Sequence, residues 1–109
     1  MANDKFLQML GIAKRARLLS EGHDVCVDAI KKGKAYMCLF ASDASDRLVK
    51  EFEMLLQNCR QSVPIKKLPY SMNELNFALA YRAAVLTVND EGIAKRLDAI
   101  DKTQNGEEN

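Results

Sequence analysis

Cysteine, histidine and long apolar runs are all scarce in this chain of 109 residues. Its three cysteines, Cys26, Cys38 and Cys59, are an odd number without CxxC spacing, which argues against a disulfide framework and a cysteine-based zinc site. No apolar run approaches the roughly 20 residues needed to cross a bilayer, and the first residues lack the pattern of a signal peptide. We therefore expect a cytoplasmic protein with reduced thiols and no membrane contact.

Glycine-rich phosphate loops are also missing, because the five glycines never cluster as GxGxxG or GxxxxGK. With a single histidine the chain has no HExxH metal motif, which leaves Asp43 and Asp46 as the only acidic group suited to recruit a hard cation. Aspartate and serine after a strand more often cap a following helix, and we prefer that interpretation here. We expect no cofactor and no metal.

Catalysis has one candidate pair in this sequence. His23 and Cys26 are three residues apart in a predicted helix, a spacing at which a base can face a thiol. No third residue orients the histidine, and the cysteine falls on the predicted core face. A thiol enzyme is therefore a remote alternative, and we expect no enzymatic activity.

Helical and strand-like patterns alternate along the chain. Apolar residues at helical spacing predict five helices, whose apolar stripes run over residues 6–13, 26–30, 48–59, 75–78 and 93–100. Short apolar segments predict the strands between them, near residues 18–21, 36–41, 63–65 and 84–88. Such alternation indicates helices on both faces of a mostly parallel or mixed sheet, a three-layer α/β/α domain.

Several residues predict where these elements begin and end. Gly33 is expected to stop the second helix, Ser71 to cap the fourth, and either Asn89 or Asp90 to cap the last. Pro64 predicts that the third strand is an edge strand or only begins to pair after the proline. We expect one domain over residues 1–102 and a disordered polar tail over residues 103–109.

The basic residues are unevenly distributed. The formal net charge is +1, yet residues 5–34 hold seven basic and three acidic side chains, a local +4 that the remaining −3 offsets. Six of the cations lie at the carboxyl ends of two predicted helices: Lys14, Arg15, Arg17, Lys31, Lys32 and Lys34. Cations at helix ends also complement the helix dipole, so solvated helix ends are one interpretation. The other is a phosphate-binding face beside the Gly22 turn.

Several sequence blocks together resemble the ribosomal protein L7Ae family, most closely its small bacterial members. The blocks occur in the order and spacing of that family, from about Phe6 to Leu97. They are Leu10-Gly11-Ile12-Ala13-Lys14-Arg15-Ala16-Arg17, Gly22, Ala29-Ile30-Lys31-Lys32-Gly33-Lys34-Ala35, Ala41-Ser42-Asp43-Ala44-Ser45 and Asn89-Asp90-Glu91-Gly92-Ile93-Ala94-Lys95. The resemblance implies an α/β/α sandwich with a four-stranded mixed sheet. It also implies a non-enzymatic protein that binds structured RNA, notably kink-turns with sheared G·A pairs.

The resemblance further implies which residues meet RNA. Gly22, His23 and Asp24 match the glycine-led turn whose polar side chains reach guanine edges in the family. The resemblance assigns phosphate contacts to Arg82, in the loop before the last strand, and to basic residues in the first third of the chain. Those residues are Lys14, Arg15, Arg17, Lys31, Lys32 and Lys34. We expect a monomer that binds ribosomal or other kink-turn RNA and associates with the ribosome or ribonucleoprotein proteins.

Two departures from the family pattern motivate an alternative function. The family commonly has Asn-Glu after the turn and a lysine one helical turn later, whereas this chain has Asp24-Val25 and then Asp28. A later Gly-Lys of the family is replaced by Ala80-Tyr81. The alternative is a protein-interaction module on the same fold that no longer recognises kink-turns.

Overall fold

The computed structural model describes residues 4–104, within which five helices alternate with four strands. The helices are α1 (Lys5–Arg15), α2 (His23–Lys31), α3 (Asp46–Asn58), α4 (Met72–Leu79) and α5 (Glu91–Gln104). The strands are β1 (Leu19–Glu21), β2 (Met37–Phe40), β3 (Ile65–Lys67) and β4 (Val85–Val88). No helix within residues 4–104 has the length and apolar character needed to cross a membrane.

The four strands form one mixed sheet in the order β1-β4-β2-β3. β4 pairs antiparallel with both β1 and β2, whereas β3 pairs parallel with β2. Because β3 lies at the edge and begins one residue after Pro64, the proline does not interrupt the ladder. This confirms the expected four-stranded mixed sheet and the edge position of β3.

Helices cover both faces of the sheet, as the alternating patterns predict. α1, α4 and α5 pack on one face, where Leu10, Leu75 and Leu97 are fully buried. α2 and α3 pack on the other face, where Ile30 and Phe52 are fully buried. Every residue of β2 and β4 is buried, since both strands lie in the middle of the sheet.

Local sequence signals account for most helix boundaries. Ser71 and Glu74 form a capping box at the start of α4, and Ser45 caps α3. Gly33 ends α2 in the left-handed region at φ 70°. The carboxylate of Asp90 accepts the Ile93 N–H at 2.9 Å, so Asp90 is the cap of α5.

Asn89 instead links two strands. Its amide donates to Ser20 Oγ at 2.8 Å and accepts from Thr87 Oγ1 at 3.0 Å. Thr87 is fully buried and lies opposite Ser20 in the β1–β4 ladder. These bonds satisfy polar groups that would otherwise be costly to bury, and they fix β1 at the edge of the sheet.

The carboxyl end of the chain differs from its prediction. α5 continues to Gln104, so Thr103 and Gln104 are helical rather than part of a tail. The i,i+4 pair of Asp98 with Lys102, at 3.4 Å, supports this last part of the helix. Residues 105–109 of the expected tail lie outside the described residues.

Replacing Ser71 by alanine tests the contribution of the capping box. Ser71→Ala removes the hydroxyl that accepts the Glu74 N–H at 3.1 Å, and the free energy of unfolding should fall by about 1 kcal/mol. Urea denaturation measures the change. Ser62→Ala is the control, because Ser62 is exposed outside the helices and should change stability little.

Candidate functional site

The sheet has two ends, and the predicted site residues divide between them. β1 and β2 finish where β4 begins, because Glu21 pairs with Leu86 and Phe40 pairs with Val85. We call this end of the sheet the turn end, because Gly22 follows β1 there. The opposite end of the sheet, where β4 finishes and β1, β2 and β3 begin, is the far end.

Gly22 holds the turn in a conformation that favours glycine. Its φ is 99°, and a Cβ added there would lie 2.8 Å from Tyr81 Oη. The Gly22 N–H donates to Val85 O at 3.0 Å, which fastens the turn to β4. Gly22 is the cap position of α2 but supplies no side-chain acceptor, so no side-chain cap covers the start of that helix.

Tyr81 is a site residue that the sequence did not identify as such. Its hydroxyl packs over Gly22, its ring centroid is 6.0 Å from Lys14 Nζ, and the residue is 44% exposed. The resemblance placed Tyr81 in the loop that packs against RNA in the family, but as a departure from the family pattern and not as a predicted RNA-binding residue. Only the fold shows that this loop lies against the Gly22 turn.

The Lys14 side chain reaches the turn end, but its ammonium already has partners within the protein. Its ammonium donates to the carbonyl of Leu79 and lies 3.3 Å from Glu21 Oε1. Glu21 is largely buried, so its charge offsets much of the lysine charge. Lys14 therefore positions the α4–β4 loop against β1 and presents only part of its charge to a ligand.

His23 lies between two carboxylates. Its Nδ1 is 2.8 Å from Asp24 Oδ1 and its Nε2 is 2.5 Å from Glu51 Oε2, so a protonated ring donates to both. Hydrogen bonds to Asp24 and Glu51 raise the pKa of His23 above its usual value. The ring also packs edge-on against Phe52 at 5.6 Å, which fixes the start of α2 against α3.

Arg82 is at the turn end but points toward α4. Its Nε donates to Asn73 Oδ1 at 3.0 Å. Asp43 lies near the same helix start, where it accepts the Met72 N–H at 3.0 Å. It therefore bonds the start of α4 and does not cap the following helix α3, whose cap is Ser45. Among the described residues, no group of three or more histidine, cysteine or acidic side chains is arranged to hold a metal ion.

The predicted cations of the first third do not form one cluster. Lys31 is the last residue of α2, and Lys32 and Lys34 follow it, about 13 Å along the nine-residue helix from Gly22. The backbone N–H of Tyr36 donates to Val88 O at 2.8 Å, which places the end of this basic segment at the far end of the sheet. Lys32 is also 3.1 Å from Asp28, an i,i+4 pair.

Arg15 and Arg17 occupy different positions again. Arg15 is exposed beside the groove between α1 and α4. Arg17 is exposed just before β1, where the neighbouring Leu18 accepts the Asn89 N–H at 2.8 Å. The turn end therefore holds Lys14, Gly22, His23, Asp24 and Arg82, whereas Arg17 and the α2 lysines are at the far end.

The structure does not support the thiol-and-base pair. Cys26 is fully buried, and its Sγ lies 3.4 Å from Ser20 O. Burial raises the pKa of the Cys26 thiol to about 11, which disfavours the thiolate needed for nucleophilic attack. His23 faces Asp24 and Glu51, so both ring nitrogens have carboxylate partners.

The pH dependence of His23 provides a test of this geometry. Because its folded pKa is raised, the stabilisation from its two carboxylates is fully present below about pH 6.5 and is lost as the pH rises through the folded pKa. Glu51→Gln should lower the His23 pKa in an NMR titration. Glu53→Gln is the control, and an equal change in both variants would contradict the contact.

Comparisons with known proteins agree with this architecture. RNA-binding protein YlxQ of Bacillus subtilis (strain 168) is 30% identical over 102 residues, covering 92% of this chain and 98% of that protein. A solved structure of a protein with unknown function from Bacillus halodurans C is 27% identical, with a TM-score of 0.79 over 90% of this chain and 97% of that chain. The 15.5kD RNA binding protein of Giardia lamblia, 16% identical, shares the fold, with a TM-score of 0.69 over 93% of this chain and 88% of that chain.

The family assignment rests on nearly the whole described chain. The sequence model that matches covers residues 4–97, from the cap of α1 into α5. This match confirms the resemblance to the L7Ae family, which implied an α/β/α sandwich with a four-stranded mixed sheet. The chain belongs to the Ribosomal protein L7Ae/L30e/S12e/Gadd45 family.

Proposed function

We propose that this protein is a non-enzymatic RNA-binding protein whose turn end recognises structured, kink-turn-like RNA. The observation that carries the proposal is the Gly22 turn, which presents the uncapped start of α2 beside the half-exposed Tyr81. A helix start without a side-chain acceptor leaves backbone N–H donors available to hydrogen-bond acceptors of a ligand. Family membership and the RNA-binding name of YlxQ support the same partner.

Asp24 supplies the acceptor for base recognition in this proposal. Its side chain is 99% exposed at the first turn of α2. A carboxylate accepts hydrogen bonds from the amino and imino groups along a guanine edge, and it repels phosphate. Asp24 therefore favours a base over the RNA backbone at this position.

Tyr81 and Arg82 give the neighbouring loop two further means of binding RNA. The exposed part of the Tyr81 ring provides a surface on which an unstacked base can stack. Arg82 is exposed, and its bond to Asn73 is to a neutral side chain, so its charge is available to a phosphate. We propose that these contacts act together on kink-turns of ribosomal or other RNA, in the cytoplasm and in association with ribonucleoprotein.

A protein-interaction module is the second candidate function. Phe77 is 94% exposed beside the groove between α1 and α4, and Val25 on α2 is 54% exposed. Exposed apolar side chains near a groove are typical of protein-binding surfaces. This function becomes the better explanation if the turn end does not distinguish RNA shapes.

A gel-shift titration distinguishes the two functions. The probes are a kink-turn RNA and the same RNA with its sheared G·A pairs replaced, each at two salt concentrations. We expect tighter binding to the intact kink-turn at both concentrations, with affinity for both RNAs falling as salt rises. Equal and very weak binding to the two probes would exclude kink-turn recognition.

Asp28→Lys tests the face of α2 that we assign to RNA. Asp28 is exposed one helical turn after Asp24, so the substitution removes a repulsive carboxylate and adds a cation near phosphate. Affinity for the kink-turn RNA should rise by about 1 kcal/mol, or roughly fivefold. Glu53→Lys on α3 makes the same charge change and is the control. An unchanged affinity for Asp28→Lys would place the RNA elsewhere.

A further inference from the structure

Three helices end at the far end of the sheet. α1 leads into β1 through Leu18, which accepts the Asn89 N–H. α2 leads into β2, and just before β2 the backbone N–H of Tyr36 donates to Val88 O. α3 leads into β3, which runs parallel to β2, and the Gln61 amide after α3 donates to Ile30 O at 2.6 Å. The carboxyl ends of α1, α2 and α3 therefore share one side of the molecule.

Basic side chains follow each of these helix ends. Arg17 follows α1, Lys31 and Lys34 bracket the end of α2, and Arg60 follows α3. All four are exposed, and none forms a salt bridge within residues 4–104. We call these four residues the basic end.

Two of these cations occupy positions where glycine would be easier to accommodate. Arg17 has φ 62° and Arg60 has φ 55°, both in the left-handed region that side chains with a Cβ adopt at a cost. The equivalent residue after α2 is Gly33, at φ 70°. The fold therefore holds an arginine at two helix ends where a glycine would relieve backbone strain.

Nearby acidic groups do not neutralise the basic end. Asp28 is paired with Lys32, and Glu91 at the start of α5 is paired with Lys95. The Asp90 carboxylate is used in capping α5. By contrast, carboxylates are frequent at the turn end, where Asp24 and Asp46 are each 99% exposed. Four exposed cations without a salt bridge to any described residue thus lie opposite the turn that contacts bases in the proposed function.

We propose that the basic end is a second RNA-binding surface, which holds the phosphate backbone of a duplex stem while the turn end recognises the kink. This inference rests on the proposed function, because it assigns the second surface to the same class of ligand. Arginine binds phosphate through two parallel hydrogen bonds, and Arg17 and Arg60 are placed for such contacts at separate points.

The spacing of the cations favours an extended polyanion over a single ion. Arg17 precedes β1 and Lys34 precedes β2, and β4 lies between these strands, so the strand axes are about 10 Å apart. The basic end itself is about 13 Å from Gly22 along α2. Binding at both surfaces makes the second contact intramolecular, which raises overall affinity without further contacts.

The double variant Arg17→Gly with Arg60→Gly tests the proposal and keeps the fold intact. Glycine removes both guanidinium groups and relieves the positive-φ strain, so the melting temperature should not fall. The control is Arg96→Gln with Lys102→Gln, which removes two exposed charges from α5. The probes are a kink-turn hairpin with an extended stem, the same hairpin with its G·A pairs replaced, and a plain duplex RNA hairpin.

We expect the double variant to lose about tenfold in affinity for the extended kink-turn and the plain duplex, while the control changes little. The slope of log affinity against log salt should fall by about 1.5 to 2, from two lost phosphate contacts. The preference for intact over replaced G·A pairs should persist, because the turn end is unchanged.

The outcomes separate this inference from the proposed function. If the double variant binds all probes as the control does, the basic end is not an RNA surface, even if kink-turn preference is observed. If the wild-type protein shows no kink-turn preference but the double variant still loses affinity for duplex RNA, the result contradicts kink-turn recognition by the turn end. The same result supports the basic end as an RNA-binding surface. Equal competition by poly-glutamate and duplex RNA would assign the surface to acidic peptides and overturn the proposal.

Discussion

The antiparallel pairing of β4 between β1 and β2 is the constraint on which the rest of the structure depends. β4 is buried on both faces, and its pairing determines which loops lie together at each end of the sheet. At the turn end, the Gly22 turn lies beside the loop of residues 80–84. At the far end, the carboxyl ends of three helices lie together. The buried Ser20–Asn89–Thr87 hydrogen bonds reinforce this pairing.

The close approach of Gly22 and Tyr81 links the fold to the proposed RNA site. A Cβ at position 22 would meet the tyrosine hydroxyl, and Lys14 lies beside the same ring while it bonds Leu79 and Glu21. Packing rather than a side-chain cap thus defines the start of α2. The backbone donors of the helix are left available to a ligand, and Tyr81 presents the exposed part of its ring to the same side.

The turn end and the basic end differ in their charged side chains, and we assign them different roles in RNA binding. The turn end combines exposed carboxylates with Arg82 and an uncapped helix start, an arrangement suited to reading bases at close range. The basic end carries free cations, which attract phosphates over a longer distance and lose that attraction as salt rises. A net charge of +1 is compatible with such binding, because the cations of the basic end lie together while acidic side chains elsewhere in the chain offset their charge.

Periodicity and capping residues in the sequence determined the elements themselves. The alternating patterns predicted all five helices and four strands of residues 4–104, and Ser71 and Gly33 act as expected, because these signals depend on residues close in the chain. The choice of Asp90 over Asn89 as a cap, and the helical state of Thr103 and Gln104, needed the structure. Likewise, only the tertiary structure separated Lys31, Lys32 and Lys34 from Gly22 and brought Tyr81 to it, because strand order and direction depend on contacts between residues distant in sequence.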